Sequence, residues 1–373
     1  MWEELRKRLE QEQPNLRRDW EALSQIPEIG WNLPRTTAFL QQRLEEMGVE
    51  CNLFQSKALV ASIGAGPVVL LRAEMDAMPV QERNGLTGRT HTCVRHYSGH
   101  DLHMAMLLGL ARVLKAHERE LPGRVTLLFY PAGESGVGAK FLVEQGFLER
   151  YPAQTLLALH LDPTFPRGQV GYHSGQVTAC LDAFSIQIQG RGGRGYSPHE
   201  TISPLEIAAH IQILLSSLLQ RELPPDERAV LSIGKAGGGT ILNQIPDKAA
   251  VEGTIRCLSE TSRQYLLARV KEICQGLCVA CRGDYSIEFT STPPVYNALE
   301  LFQKISPVLQ TRFSDSLCFD CATLGADDLC YLSQYVPAAF FRLGSGQPAG
   351  SYDESLLSTG ASLLLEALLA LWS

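Results

Sequence analysis

The stretch HYSGHDLH, residues 96–103, crowds His96, His100, His103 and Asp101 together just ahead of the apolar run MAMLLGLARVL. Imidazole nitrogens and carboxylate oxygens are the donors that a divalent cation takes. At the centre stands Ser98, whose neutral hydroxyl is a poor ligand. Two further donors follow at a distance, Glu134 in PAGES and His160 in LLALH. A single loop histidine is usually solvated, and Glu134 alone could be a charge favoured at a helix N-terminus. Three such residues, each bordering an apolar segment, point to one shared pocket.

The elements that must position them can be read from the pattern of apolar residues. VVLLRAEMDA (68–77), RVTLLFYPAG (124–133) and TLLALHLDP (155–163) read as buried strands. HMAMLLGLARVLKAH (103–117) and GAKFLVEQG read as helices, and the N-terminal segment is helical to about LEEMGVE. Continuous apolar strands alternating with helices predict an α/β domain around a largely parallel sheet. Sites in such sheets form beyond the carboxyl ends of the strands. Glu134 and His160 fall there, and His100 falls in the loop before its helix. Near residue 180 the pattern changes. DAFSIQIQGRG alternates as an antiparallel strand does, and is followed by PLEIAAHIQILLSSLLQ, RAVLSIGKAGGG, AAVEGTIRCL, a helix over 261–281 and YSIEFTSTPP. This β-α-β-β-α-β order predicts a ferredoxin-like α+β sandwich. The expected organisation is a domain made of 1–179 and 293–373, interrupted by an inserted domain at 180–292.

Bulk properties limit the functional classes. A chain of 373 residues suits two cores better than one. A net charge of −7 and the lack of a basic tract argue against nucleic acid or an acidic membrane as partner. The N-terminus lacks the apolar core of a signal peptide, and no run of about eighteen apolar residues predicts a membrane span. The ten cysteines then read as reduced thiols of a cytoplasmic protein. Cys274, Cys278 and Cys281 share one helix face and read as core. Cys318 and Cys321 lack the setting of a redox pair, and Ser98, His100 and Asp101 stand too close in sequence for a serine triad.

The order of these blocks resembles a known family, the metal-dependent N-acyl-amino-acid amidohydrolases. These include aminoacylase-like, hippurate and auxin-conjugate hydrolases, and are related to metallo-carboxypeptidases. LLRAEMDAMPVQE is similar to the family's LRADMDALPIQE, and HYSGHDLHMAMLLGLARVL to HACGHDGHTAMLLGAAKLL. PAGESGVGAK is similar to PAEEGGGGAK, GRGGRGYSPH to GKGGHGAMPH, and LGADDLCYL to GAEDFxYYL. GGGTILNQIPDKAAVEGTIRCL is similar to GGTAxNVIPDxxxxEGTVRxF, and the likeness runs through nearly the whole chain. It implies a zinc-peptidase-like catalytic domain with an inserted lid or dimerisation domain, and a homodimer paired through that insert.

The resemblance also implies a chemistry. Two cations, bridged by a cysteine, hold a water against an amide carbonyl, and a glutamate serves as general base. Carried over residue by residue, the ligands His100, Glu134 and His160 are kept. Ser98 stands for the bridging cysteine, Gly133 for the general base and Arg194 for the small-domain histidine. Gly346 stands for the C-terminal histidine, and no histidine follows His210. Asp76 and Asp101 fall at outer-shell positions that orient ligands. Asn243, Arg256 and His199, with Arg194, fall at substrate-binding positions, and Arg194 suits a carboxylate. The expectation is a site that has lost its two-metal mechanism and binds an N-acyl-amino-acid or peptide-like ligand. It holds no cofactor, or a single weakly bound zinc, manganese or nickel ion. Two alternatives stay open: an active amidohydrolase working with one metal, in which Glu134 is base or ligand, and a non-catalytic structural or regulatory subunit.

Overall fold

The computed structural model describes residues 1–83 and 90–373. The chain forms two compact units, one of Met1–Val177, Val295–Cys321 and Asp327–Ser373, the other of Thr178–Pro294 and Ala322–Ala326.

The first unit is built on an eight-stranded sheet. Its order is Cys51–Phe54, Ala58–Gly64, Arg124–Tyr130, Val68–Glu74, Thr155–Asp162, Ala338–Gly344, Val170–Gly171 and Leu317–Cys318. The three central pairings are parallel, whereas Ala58–Gly64 pairs antiparallel with both its neighbours. The sheet is therefore mixed; the strands that the sequence marked as continuously apolar pair in parallel at its centre, and the short edge pair Val170–Gly171 and Leu317–Cys318 is parallel as well. Successive side chains alternate between two apolar layers. Val69, Leu71 and Ala73 enter one core together with Leu127, Phe129, Leu157, Leu159 and Leu161. Leu70, Leu128, Tyr130, Leu156 and Ala158 enter the other. By the same alternation Arg72, Glu74 and His160 belong to the second face. Arg124–Tyr130 stops where Pro131 removes a ladder donor.

Helix His100–Ala116 lies in the first core and is buried on nearly every side, as an all-round apolar helix must be. It starts three residues earlier than the sequence suggested, so His100 occupies its first turn rather than the preceding loop. Gly99 makes that start possible. It is left-handed (φ +81°), and a Cβ there would lie 2.6 Å from Leu161 Cδ1.

Helix Ser355–Trp372 corrects one expectation. It is long and apolar enough to cross a membrane, but two thirds of it is buried inside the unit. Its Glu366 binds Arg6 through two hydrogen bonds of 2.6 and 2.8 Å, and Trp372 stacks on Trp2 at 6.2 Å. A helix held by a buried ion pair is a core helix.

In the second unit, strands Cys180–Gln189, Ala229–Gly238, Lys248–Cys257 and Asp284–Thr292 make an antiparallel sheet. Counted as first to fourth in the chain, they lie in the order 2-3-1-4, the ferredoxin-like arrangement. Helices Pro204–Glu222 and Glu260–Cys281 cover one face, with Ile207, Ile211, Leu215, Leu266 and Val270 buried against Phe184, Ile186, Ile188 and Val251. Cys274 and Cys278 are part of this core, and none of the described cysteines forms a disulfide.

Candidate metal centre

The site of the first unit lies at the carboxyl ends of its parallel strands. His160 comes from Thr155–Asp162, and Glu134 from the turn after Arg124–Tyr130. That turn holds Ala132 in a left-handed conformation (φ +61°), a strained backbone of the kind found where a side chain must be aimed. The carboxylate of Asp76 clamps it. Oδ1 accepts from the Gly133 N–H at 2.9 Å, and Oδ2 accepts from the Glu134 N–H at 3.3 Å. Burial pushes the Asp76 carboxyl up to about 7.

Both candidate histidines are fixed in one tautomer. His100 Nδ1 donates to the Asp76 carbonyl at 2.7 Å, and His160 Nδ1 donates to the Leu161 carbonyl at 2.8 Å. Each ring is thus left with a lone pair on Nε2, the arrangement that metal-ligating histidines adopt. The rings lie edge to face, 6.1 Å between centroids. Burial holds His100 down to about 4, so its imidazole is neutral near pH 7. Glu134 Oε1 lies 3.8 Å from His100 Nδ1 and has no hydrogen-bond partner among the described residues. The Ser98 hydroxyl bonds the same carboxylate. So the orienting acceptor of His100 is the backbone carbonyl of Asp76, not its carboxylate as expected.

Asp101 departs from expectation outright. Its Oδ2 accepts from Trp20 Nε1 at 3.0 Å and from the Ser24 hydroxyl at 2.5 Å, and its Oδ1 accepts from the Leu102 N–H. Its carboxylate ties the helix Gln13–Ser24 to the start of His100–Ala116 and orients no candidate ligand.

Two imidazoles and a carboxylate oxygen are donor types that a divalent cation takes. Gly346 stands where the resemblance places a further histidine. It is left-handed (φ +59°), and a Cβ there would lie 2.6 Å from the Arg167 backbone nitrogen and 2.9 Å from Arg167 Cβ. A side chain at that point would require the backbone at Arg167 to shift.

Two residues left out of the expected ligand set, Glu74 and His103, belong to this neighbourhood. Ligand-type atoms of Glu74, His100 and His103 lie within 4.8 Å of one another. All three residues are at most 3 % exposed. His103 Nε2 accepts from the Leu161 N–H at 3.3 Å, and its Nδ1 lies 3.9 Å from Glu74 Oε2. Its spacing of three from His100 on one helix was the available signal. Glu74 is also ion-paired with the buried Arg72, which binds both oxygens of Asp327 at 2.6 and 2.7 Å.

The remaining candidates belong to the second unit. Arg194, in the short strand Gly193–Arg194, is exposed and donates to the Tyr196 hydroxyl at 2.6 Å. Asn243 is exposed, and its carbonyl accepts from the Gly195 N–H at 2.9 Å. These two are thereby neighbours. His199 is exposed in the turn Pro198–Glu200, and half-buried Arg256 donates to the Leu324 carbonyl at 3.1 Å.

Comparison with known proteins gives this geometry a context. The family model described as Peptidase family M20/M25/M40 matches residues 70–370. The N-acetyl-L-cysteine deacetylase of Bacillus subtilis is 30% identical over 356 residues, which cover 92% of this chain and 85% of that protein. The IAA-amino acid hydrolase ILR1-like 4 of Arabidopsis thaliana is 33% identical over 363 residues, covering 90% and 81%. Among solved structures, a dinuclear metal-binding M20 peptidase of Bacillus subtilis superposes with a TM-score of 0.78. It is 26% identical, with 96% of this chain and 98% of that chain covered.

Proposed function

The chain belongs to peptidase family M20/M25/M40, and from that premise we propose that it acts on N-acyl-amino-acid or peptide-like amides at a site built for one divalent cation. The conventional two-cation hydrolysis is not what this pocket supports. The observation that carries the reading is the pair of locked tautomers: His100 and His160 each spend Nδ1 on a carbonyl and leave Nε2 free. Glu134, with its Oε1 lacking a partner, supplies the carboxylate beside them. A cation held there would polarise the scissile amide carbonyl. Asp76 keeps the Glu134 turn in place through two backbone N–H groups.

Four positions support the departure from two cations. Ser98 offers a hydroxyl in place of a bridging thiolate, and Gly133 carries no carboxylate. Arg194 is a cation where the resembling sequences place a histidine, and a side chain at Gly346 would require the backbone at Arg167 to shift. In this reading Arg194, Asn243, His199 and Arg256 are the second unit's candidates for holding a carboxylate or amide group. The second unit is then the pairing surface of a homodimer, and the protein works in the cytoplasm with reduced thiols.

Elemental analysis of the dialysed protein tests the reading. It expects one zinc, manganese or nickel ion per chain, lost on chelation or in Glu134→Gln. Release of free amino acid from N-acetyl amino acids is expected to stop with it. Two tightly held ions per chain would overturn the reading.

A further inference from the structure

Gly133 leaves room for a side chain, yet the room is filled. A Cβ built on Gly133 would lie 2.3 Å from Glu74 Cγ and 2.8 Å from Glu74 Cβ. The stem of Glu74 therefore occupies the volume into which a residue at 133 would project. Its carboxylate emerges beside His100 and His103, with ligand-type atoms of the three within 4.8 Å.

The charges around Glu74 are unbalanced. One oxygen, Oε1, meets Arg72. That guanidinium also serves Asp327 through two hydrogen bonds, so one positive charge faces two carboxylates. The other oxygen, Oε2, is buried and has no hydrogen-bond partner among the described residues. A buried carboxylate oxygen without a partner is unfavourable unless positive charge meets it.

His103 does not meet that need as a ligand. Its Nε2 accepts the Leu161 N–H, so the neutral ring carries its proton on Nδ1. That nitrogen lies 3.9 Å from Glu74 Oε2, too far for a hydrogen bond but close enough to steer the carboxylate. His100 is different, since its Nε2 lone pair is open. We propose that Glu74 is a direct ligand of the cation that His100 holds, with His103 as the residue that positions its carboxylate. This rests on the one-cation reading above and deepens it. A carboxylate from the end of Val68–Glu74 stands in the space opened at Gly133, and the site gains a donor that the turn at 133 does not provide.

The test is cobalt binding by the full-length protein, stripped of metal and titrated with Co2+. Calorimetry reads the affinity, and the visible ligand-field absorption reads the donor set. Glu74→Gln keeps the shape and removes the charge. Glu74→Asp keeps the charge beside Arg72 and withdraws the carboxylate by one methylene. Wild type is expected to take one Co2+, and each variant to bind it at least ten-fold more weakly with an altered absorption spectrum. Should Glu74→Gln fail to fold, Glu74→Asp carries the test, with its metal-free melting curve as the fold control. Wild-type binding of one Co2+ with the folded variants within two-fold of it would overturn this inference and leave the one-cation reading intact. No Co2+ bound by wild type would overturn the one-cation reading, and this inference with it.

Discussion

Placing a histidine at position 346 is the direct attempt to rebuild a second cation site, and the structure says that it fails at the backbone. Gly346 has φ +59°, a region where an L-residue costs about 1–2 kcal/mol. Its Cβ would also press on the Arg167 backbone nitrogen at 2.6 Å and on Arg167 Cβ at 2.9 Å. Neither is the free end of a flexible side chain, so the chain at 165–168 must shift. Gly346 N–H donates to the Phe165 carbonyl at 3.0 Å, and that bond goes with the shift. Overpacking of this kind costs about 1–3 kcal/mol. Together Gly346→His loses roughly 2–5 kcal/mol, a substantial part of an ordinary domain's stability of about 5–15 kcal/mol. Gly346→Ala carries the same backbone and Cβ penalties without the imidazole, and is expected to lose a similar amount. Chemical denaturation of the metal-free proteins measures the loss, and elemental analysis counts the ions. If Gly346→His unfolds within 0.5 kcal/mol of wild type, on the scale of neutral surface changes, and takes up a second ion, the steric account of this site is wrong.

Arg72→Met leaves Glu74 and Asp327 buried without their shared counter-charge, and is expected to cost about 3–5 kcal/mol in a denaturant melt. A loss under 1 kcal/mol would contradict the assigned burial. Tyr130→Phe removes the hydroxyl that donates to Asp328 Oδ1 at 2.6 Å, for an expected loss of about 1–3 kcal/mol by the same assay. The pH dependence has a defined sign at His100, whose folded value near 4 lies below the usual 6.5. Between those values the unfolded chain binds more protons, so metal-free stability falls as the pH drops from 6.5 towards 4, by about 3 kcal/mol through this group. Asp76, raised to about 7, works in the opposite direction, so the comparison is with His100→Asn. Wild type should lose more stability across that window than the variant, and equal losses would refute the burial of His100.

The strands Val68–Glu74, Arg124–Tyr130 and Thr155–Asp162 and the helix His100–Ala116 could be read because each is long, apolar and bounded by turn residues, whereas two-residue strands such as Val170–Gly171 and Leu317–Cys318 leave no such mark. The antiparallel β-α-β-β-α-β run was equally plain, since its alternation differs from the continuous apolar strands before it. The sequence did not reveal the antiparallel edge of the larger sheet, because pairing partners lie far apart along the chain. Ala58–Gly64 meets Arg124–Tyr130 across 60 to 70 positions, from Gly64 with Arg124 to Leu59 with Phe129. At the site, the candidate donors were visible as residue types, but their tasks were not. Asp101 looked like a ligand's partner and proves to be an anchor for Trp20 and Ser24. Glu74 escaped notice because only one methylene separates RAEMDA from RADMDA. The meaning of that methylene depends on Gly133, a contact between distant segments. Read together, a longer acid at 74 and an absent side chain at 133 were the signal.

The pairing of helix Trp2–Gln11 with helix Ser355–Trp372 bears on how the protein is made. Arg6 finds Glu366, and Trp2 finds Trp372, only after residues 366–372 have left the ribosome. Helix Trp2–Gln11 therefore waits for partners that lie far along the chain. During translation its apolar residues Leu5 and Leu9, fully or nearly fully buried in the finished fold, wait without their partner. The second unit draws its strands and helices from one continuous stretch, 178–294, and can complete its core while the first is still open.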